Sequence, residues 1–165
     1  MEMLTGDKSN YCVNWSNNGS HQYYYLRIDA GSGDLLEFSY SDAEWETREQ
    51  AVPSVSEASA RASAIKEQAV DFLENKIGIT ESYDKIDTSY RVYDGEEVGT
   101  LVYVVFYKPD QTAYVLSYHW DGTVMNYNSI SADRWEERIE QEAENIAQYL
   151  SEDRGEEVTV ELIHQ

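Results

Sequence analysis

The chain has one cysteine, Cys12, in 165 residues. An internal disulfide is therefore excluded, and no Cys/His metal set can be assembled around that single thiol. The three histidines, His21, His119 and His164, are scattered, and no two have the short spacing of a zinc-ligand motif. Cations are scarce: 12 Lys and Arg stand against 32 Asp and Glu, for a formal net charge of -20. Such a field repels phosphate backbones and anionic membrane surfaces, which argues against nucleic acid and suits a solubilising exterior or a basic partner. No apolar run approaches the roughly 20 residues of a membrane span, so this segment is not expected to insert in a bilayer. The opening Met1-Glu2-Met3-Leu4-Thr5-Gly6 has no signal-peptide character.

Catalytic signatures are missing as well. Cys12 and His119 fall on separate expected strands with no orienting partner, so no thiol–imidazole pair is indicated. Asp94-Gly95-Glu96-Glu97 and Asp29…Asp34 are acidic turns, but neither follows the calcium-loop pattern with its distal Glu. The glutamates of 133–152 are regularly spaced opposite an apolar stripe, as on the solvated side of a helix. The chain is expected to be non-enzymatic, with no cofactor and no metal.

What the sequence does contain is alternation and aromatic side chains. In Tyr23–Tyr40, Tyr24, Leu26 and Ile28 alternate with Tyr23, Tyr25 and Arg27, the period that lets a strand bury one face. Asp29-Ala30-Gly31-Ser32-Gly33-Asp34 supplies turn chemistry, and Leu36, Phe38 and Tyr40 resume the alternation. Tyr11–Trp15 adds a strand ahead of the Asn17-Asn18-Gly19 turn. The polar stretch 41–54 reads as a linker in which Trp45 packs on a neighbouring surface. Ser54 and Glu57 form a capping box, so a helix should start near Ser56. Its stripe is Ala58, Ala62, Ile65, Ala69, Phe72, Leu73 and Ile77, and Gly78 closes it. Strands follow over 83–93, 101–107 and 113–128. Leu101–Tyr107 is apolar on both faces and is expected at the centre of a sheet. A second helix over 131–152 carries Trp135, Ile139, Ala143, Ile146, Ala147 and Leu150 on one face, and a last strand covers 158–163.

The hairpin with a glycine turn occurs twice, each copy followed by a polar stretch and a helix, with about 75 residues between helix starts. The stretches 1–50, 51–130 and 131–165 read as a partial unit, a complete helix-plus-sheet unit, and a helix and strand that complete the first unit in permuted order. Such a chain looks like a tandem array cut at both ends. The same completion between two chains would give a homodimer.

The segment Tyr25-Leu26-Arg27-Ile28-Asp29-Ala30-Gly31-Ser32-Gly33-Asp34-Leu35-Leu36 resembles the hairpin of PepSY-type domains. The helix 57–77, with its Ala-x-x-Ala spacing and the ending Ala69-Val70-Asp71-Phe72-Leu73, is similar to that family's lead helix. The second hairpin, Tyr118-His119-Trp120-Asp121-Gly122-Thr123-Val124, departs from the pattern: its turn is shorter and the Asp-Ala pair is missing. The resemblance implies an α+β fold of two PepSY-like units, each an antiparallel sheet of three or four strands packed against one helix. It also implies a bacterial, extracytoplasmic setting, secreted or membrane-anchored through another segment. The implied role is non-catalytic protein binding, either restraining a protease or relaying an envelope signal. No catalytic residues carry over.

Aromatic residues make up 13% of the chain, enough to furnish contact surfaces. If Tyr24, Leu26 and Ile28 face the core, Tyr23 and Tyr25 face outward. Tyr118 and Trp120 belong to a similar row in the second hairpin. These four are the expected partner-binding residues, for a protein or, as the alternative, for a cell-wall carbohydrate stacked on the rings.

Overall fold

The computed structural model describes residues 2–4 as backbone and 10–17, 19–42 and 52–165 in full. The linker expectation for 43–51, including the placement of Trp45, lies outside the described residues. The strands are β1 (Glu2–Leu4), β2 (Asn10–Asn17), β3 (Gln22–Asp29), β4 (Leu35–Asp42), β5 (Lys85–Tyr93), β6 (Glu97–Tyr107), β7 (Thr112–His119), β8 (Val124–Ser131) and β9 (Val160–His164). Helix α1 (Val55–Asp71) runs on into a π-helical turn, Phe72–Ile77, and α2 covers Ala132–Arg154.

The strands form one antiparallel sheet in the order β1-β2-β3-β4-β8-β7-β6-β5-β9. This overturns the expectation of two units, each a sheet with its own helix. The reason lies in β6. Val102, Val104 and Phe106 point to one side and Tyr103 and Val105 to the other, and all are buried. A strand apolar on both faces needs cover on both faces. Helix α1 supplies one, seating Ala58, Ala62, Ile65, Ala69 and Leu73 on Tyr90, Val102, Leu116, Tyr118 and Trp120. Helix α2 supplies the other, with Trp135 and Ile139 on Tyr103, Val105 and Val115. The C-terminal helix and strand do not complete the N-terminal meander, because β9 pairs with β5 at the edge of the sheet opposite β1. The stretches 1–50, 51–130 and 131–165 all contribute to the same sheet. The N-terminal meander joins it through a short ladder in which Glu37, Phe38 and Ser39 face Asn128, Tyr127 and Asn126.

Local chemistry sets the helix ends. The Ser54 amide donates to Glu57 Oε2 at 3.1 Å, completing the expected capping box. Gly78, at φ +79, closes the π turn, and the Ile79 amide reaches back to the Leu73 carbonyl at 2.8 Å. The Ser131 hydroxyl accepts from the Arg134 amide, starting α2. Polar ties then fix each helix to the sheet. Arg61 of α1 donates to the Trp120 carbonyl at 2.8 Å and Lys66 to the Ile86 carbonyl at 3.1 Å. On the other face, buried Arg91 pairs with Glu142 of α2 at 3.0 Å and reaches the Tyr103 hydroxyl at 3.3 Å. Among the described residues, no helix is long and apolar enough to cross a membrane.

Candidate functional site

The meander continues both faces of the main sheet, while among the described residues α1 and α2 pack chiefly on the strands beyond it. The register aligns Tyr11 with Ile28, Val13 with Leu26 and Trp15 with Tyr24, then Leu26 with Phe38 and Tyr24 with Tyr40. Phe38 faces Tyr127, which faces Leu116 under α1. Directly paired residues share a face in an antiparallel sheet, so Tyr11, Val13, Trp15, Tyr24, Leu26, Ile28, Phe38 and Tyr40 extend the apolar face that α1 covers elsewhere. Among the described residues, neither helix packs extensively against β2 or β3. Tyr11 and Trp15 are about half exposed, at 48% and 50%.

Three of these rings form a row across the strands. The Trp15 and Tyr24 centroids are 4.9 Å apart and the Tyr24 and Tyr40 centroids 5.0 Å, with the planes tilted by 42° and 40°. The Tyr40 hydroxyl donates to Asp42 Oδ2 and accepts from Gln22. Burial, followed by that carboxylate, pushes its pKa up. Where the row meets the end of α1, a groove of about 670 Å³ opens between the sheet and the segment 76–81. Leu26, Ile28, Ile77, Ile79, Tyr114 and Tyr127 line it, with Asp34, Glu81 and Lys76 at its polar margin. The Tyr114 hydroxyl donates to Glu81 Oε1 at 2.9 Å, and Lys108 lies over the Tyr114 ring at 4.2 Å. Burial, helped by Glu81, pushes Tyr114 up to about 12.

The opposite face of the meander is polar. Cys12, Asn14, Tyr25, Arg27, Glu37 and Ser39 lie there, with Arg27 paired to Glu37 at 3.2 Å and Cys12 Sγ 3.5 Å from the Tyr25 hydroxyl. Tyr23, 47% exposed, and the half-buried Tyr25 belong to this side. Tyr118 and Trp120 are 2% and 4% exposed beneath α1, and Trp120 Nε1 donates to the Gly99 carbonyl at 2.6 Å. Both are core residues and offer no contact surface. The four expected residues therefore separate into a pair on the polar face and a pair in the core. The aromatic face with exposed rings is that of the Tyr24 row, half-buried at Tyr24 and Tyr40 and exposed at Tyr11 and Trp15, where the sequence predicts a helix-covered core. Its signal was the alternation itself; its exposure was not readable from it.

The turn that carries the family-like motif is built for shape. Asp29 Oδ1 accepts from the Gly31 and Ser32 amides at 2.8 Å each, which holds its carboxyl below the usual range, and Gly33 takes φ +78. Cys12 and His119 lie on β2 and β7, four strand spacings or about 19 Å apart, too far for a thiol–imidazole pair. One further cluster lies at the other edge of the sheet. There Asp87, with a 5% exposed side chain, bonds His164 Nδ1 at 2.8 Å beside a cavity of about 280 Å³. The pair ties His164 of β9 to Asp87 of β5, and Lys85, 3.6 Å from Asp87, and Tyr107 line the same cavity. Among the described residues, no group of three His, Cys, Asp or Glu side chains is placed to hold a metal ion. No protein-family model, curated protein or solved structure matches the chain.

Proposed function

We propose that the chain is a non-catalytic protein-binding module whose contact surface is the α1-side face of the N-terminal meander. One observation carries this reading: an apolar face that is buried under α1 over β5–β7 continues across β8, β4, β3 and β2, where among the described residues neither helix packs extensively on β2 or β3. Apolar faces of this kind, rimmed by polar residues, serve as interaction sites. Tyr and Trp at the centre of a patch are the side chains that carry most contact energy. The PepSY-like character of the 25–36 hairpin supports an extracytoplasmic setting and a protease as the class of partner.

The test is capture from cell-envelope and secreted fractions on the immobilised chain, with eluates assayed for protein and for sugar. A specific protein should be retained by the native chain and by the polar-face variant Tyr23→Ala/Tyr25→Ala, and lost from Tyr11→Ala/Trp15→Ala. Retention that ignores Tyr11 and Trp15 would refute the assignment. A second reading, binding of cell-wall glycan, is favoured by the Trp15–Tyr24–Tyr40 row, since sugar rings stack on such surfaces. Sugar retained without protein, and lost from the same variant, would establish it.

A further inference from the structure

We propose that the occupant of the meander face is an amphipathic α-helix with a basic outer side, contributed by a partner and lying next to α1 as the second helix of the same layer. The inference rests on the reading of this face as the contact surface and specifies what fits it.

Dimensions argue for one helix. Strands β2, β3 and β4 have eight residues each. At about 3.4 Å per residue and 4.8 Å between strands, the face measures about 27 by 14 Å. One helix is about 10–12 Å across, and about 18 residues span 27 Å.

The sheet's own packing shows which helix surface is complementary. Over β5–β7 the strands supply large rings, Tyr90, Tyr118 and Trp120, and α1 supplies Ala58, Ala62 and Ala69. The meander continues the ring-rich half of that arrangement with Tyr11, Trp15, Tyr24, Phe38 and Tyr40. A second stripe of small residues is what fits against it.

Backbone pairing excludes an extended strand here. Strand β3 is paired on both sides, while β1 covers only Cys12–Asn14 of β2 and β8 only Glu37–Ser39 of β4, so backbone left for a further strand lies along strand edges and not on the face. A peptide strand would have to add at a sheet edge, not on this face.

Charge selects the sign. The chain carries -20; at the groove itself Asp34 and Glu81 are balanced by Lys76 and by Lys108, 3.8 Å from Glu81, so the selection comes from the field of the whole chain. A second copy of the chain brings the same -20 and is repelled, whereas a basic helix is steered in. A face of this size falls below the standard area per partner, which places the complex among weak, salt-sensitive encounters.

The experiment titrates the full chain by calorimetry with three synthetic peptides of about 18 residues, the helix length set above. The first is an amphipathic Lys/Ala/Leu helix. The second has the same apolar stripe with Glu replacing Lys. The third permutes the first so that its apolar residues are scattered. The first should bind with one-to-one stoichiometry, at least tenfold more tightly than either control. Tyr11→Ala/Trp15→Ala should weaken it at least tenfold, whereas Tyr149→Ala, an exposed ring on α2, should leave it unchanged. Equal binding of the permuted peptide would reduce the effect to general charge attraction and overturn the proposal. Equal binding of the Glu peptide would overturn its basic character. A dimer that sedimentation shows to dissociate on Tyr11→Ala/Trp15→Ala would make a second copy the occupant. If the peptide fails while captured protein still depends on Tyr11 and Trp15, the helical occupant falls and the contact surface stands. If peptide binding ignores those residues, both fall.

Discussion

Trp15 and Trp120 each sit near the end of a hairpin strand, yet the structure gives them opposite energetic roles. Trp120 is 4% exposed, meets Tyr90 edge-on at a centroid distance of 5.4 Å, and donates its indole N–H to the Gly99 carbonyl. Replacing it with Ala removes about 200 Å² of burial, worth about 5 kcal/mol at 25 cal/mol per Å², and opens a cavity beneath α1. It also removes the indole hydrogen bond to the Gly99 carbonyl. The folded chain should lose about 4–5 kcal/mol. Trp15 is 50% exposed, so its area contribution is at most half as large, and solvent fills the space it leaves. Trp15→Ala should cost about 1–2 kcal/mol, including its contact with Tyr24. The assay is equilibrium urea unfolding of both variants and the native chain, followed by far-UV circular dichroism so that loss of a Trp does not alter the probe. The variants should differ by at least about 2 kcal/mol. Equal losses would mean that Trp15 is as enclosed as Trp120, and the open aromatic face would not exist.

Further outcomes follow from the same geometry. Burial pushes Tyr83 and Tyr107 up to about 12, as it does Tyr114. Their folded pKa values lie above the unfolded value near 10, so the stability they confer is complete below pH 10 and is lost as pH rises toward 12. Phenolate absorbance should therefore rise together with unfolding over that interval, and independent titration near pH 10 would contradict the burial. Glu142→Ala strands the buried Arg91 guanidinium and should destabilise the fold by about 1–3 kcal/mol, reduced by the partial exposure of Glu142. Arg91→Met removes the buried charge altogether and should cost less in the same urea assay. Gly122 takes φ +89, and a Cβ there would meet Gln68 Oε1 at 2.7 Å. Gly122→Ala should cost about 1–2 kcal/mol, and adding Gln68→Ala should recover only the steric part. Amide exchange should be faster in β2–β4 than in β5–β8, because among the described residues neither helix packs extensively on β2 or β3 and the meander joins the sheet by a three-residue ladder.

Much of the local structure was legible in the sequence. Ser54 and Glu57 marked the start of α1, Gly78 its end, and the run Leu101–Tyr107 announced a strand buried on both faces. The arrangement of those elements was not legible. A stripe at helical spacing shows that a helix is half-buried without saying against which strands, so Trp135 and Ile139 gave no sign that α2 crosses to the face opposite α1. The pairings of β4 with β8 and of β5 with β9 join distant segments, and each is fixed by register rather than by a turn. Strand β1 has three residues, too few to display a period in the sequence. The exposure of the meander face was missed for a related reason. Alternation correctly placed Tyr24, Leu26 and Ile28 together, but their cover was inferred from the need to bury them, and the helix expected for the purpose was already committed to β9, β7 and β8.

The account's central claim is that the Tyr24 row and its aliphatic neighbours are open on the α1 side. Nuclear magnetic resonance of the side chains in the presence of a soluble paramagnetic probe tests this directly. Signals of Trp15, Leu26 and Ile28 should be strongly broadened, while those of Leu116, Tyr118 and Trp120, on the same face beneath α1, should be protected. Leu26 and Ile28 as protected as Leu116 would show the face to be covered, and the binding surface proposed for it would be withdrawn.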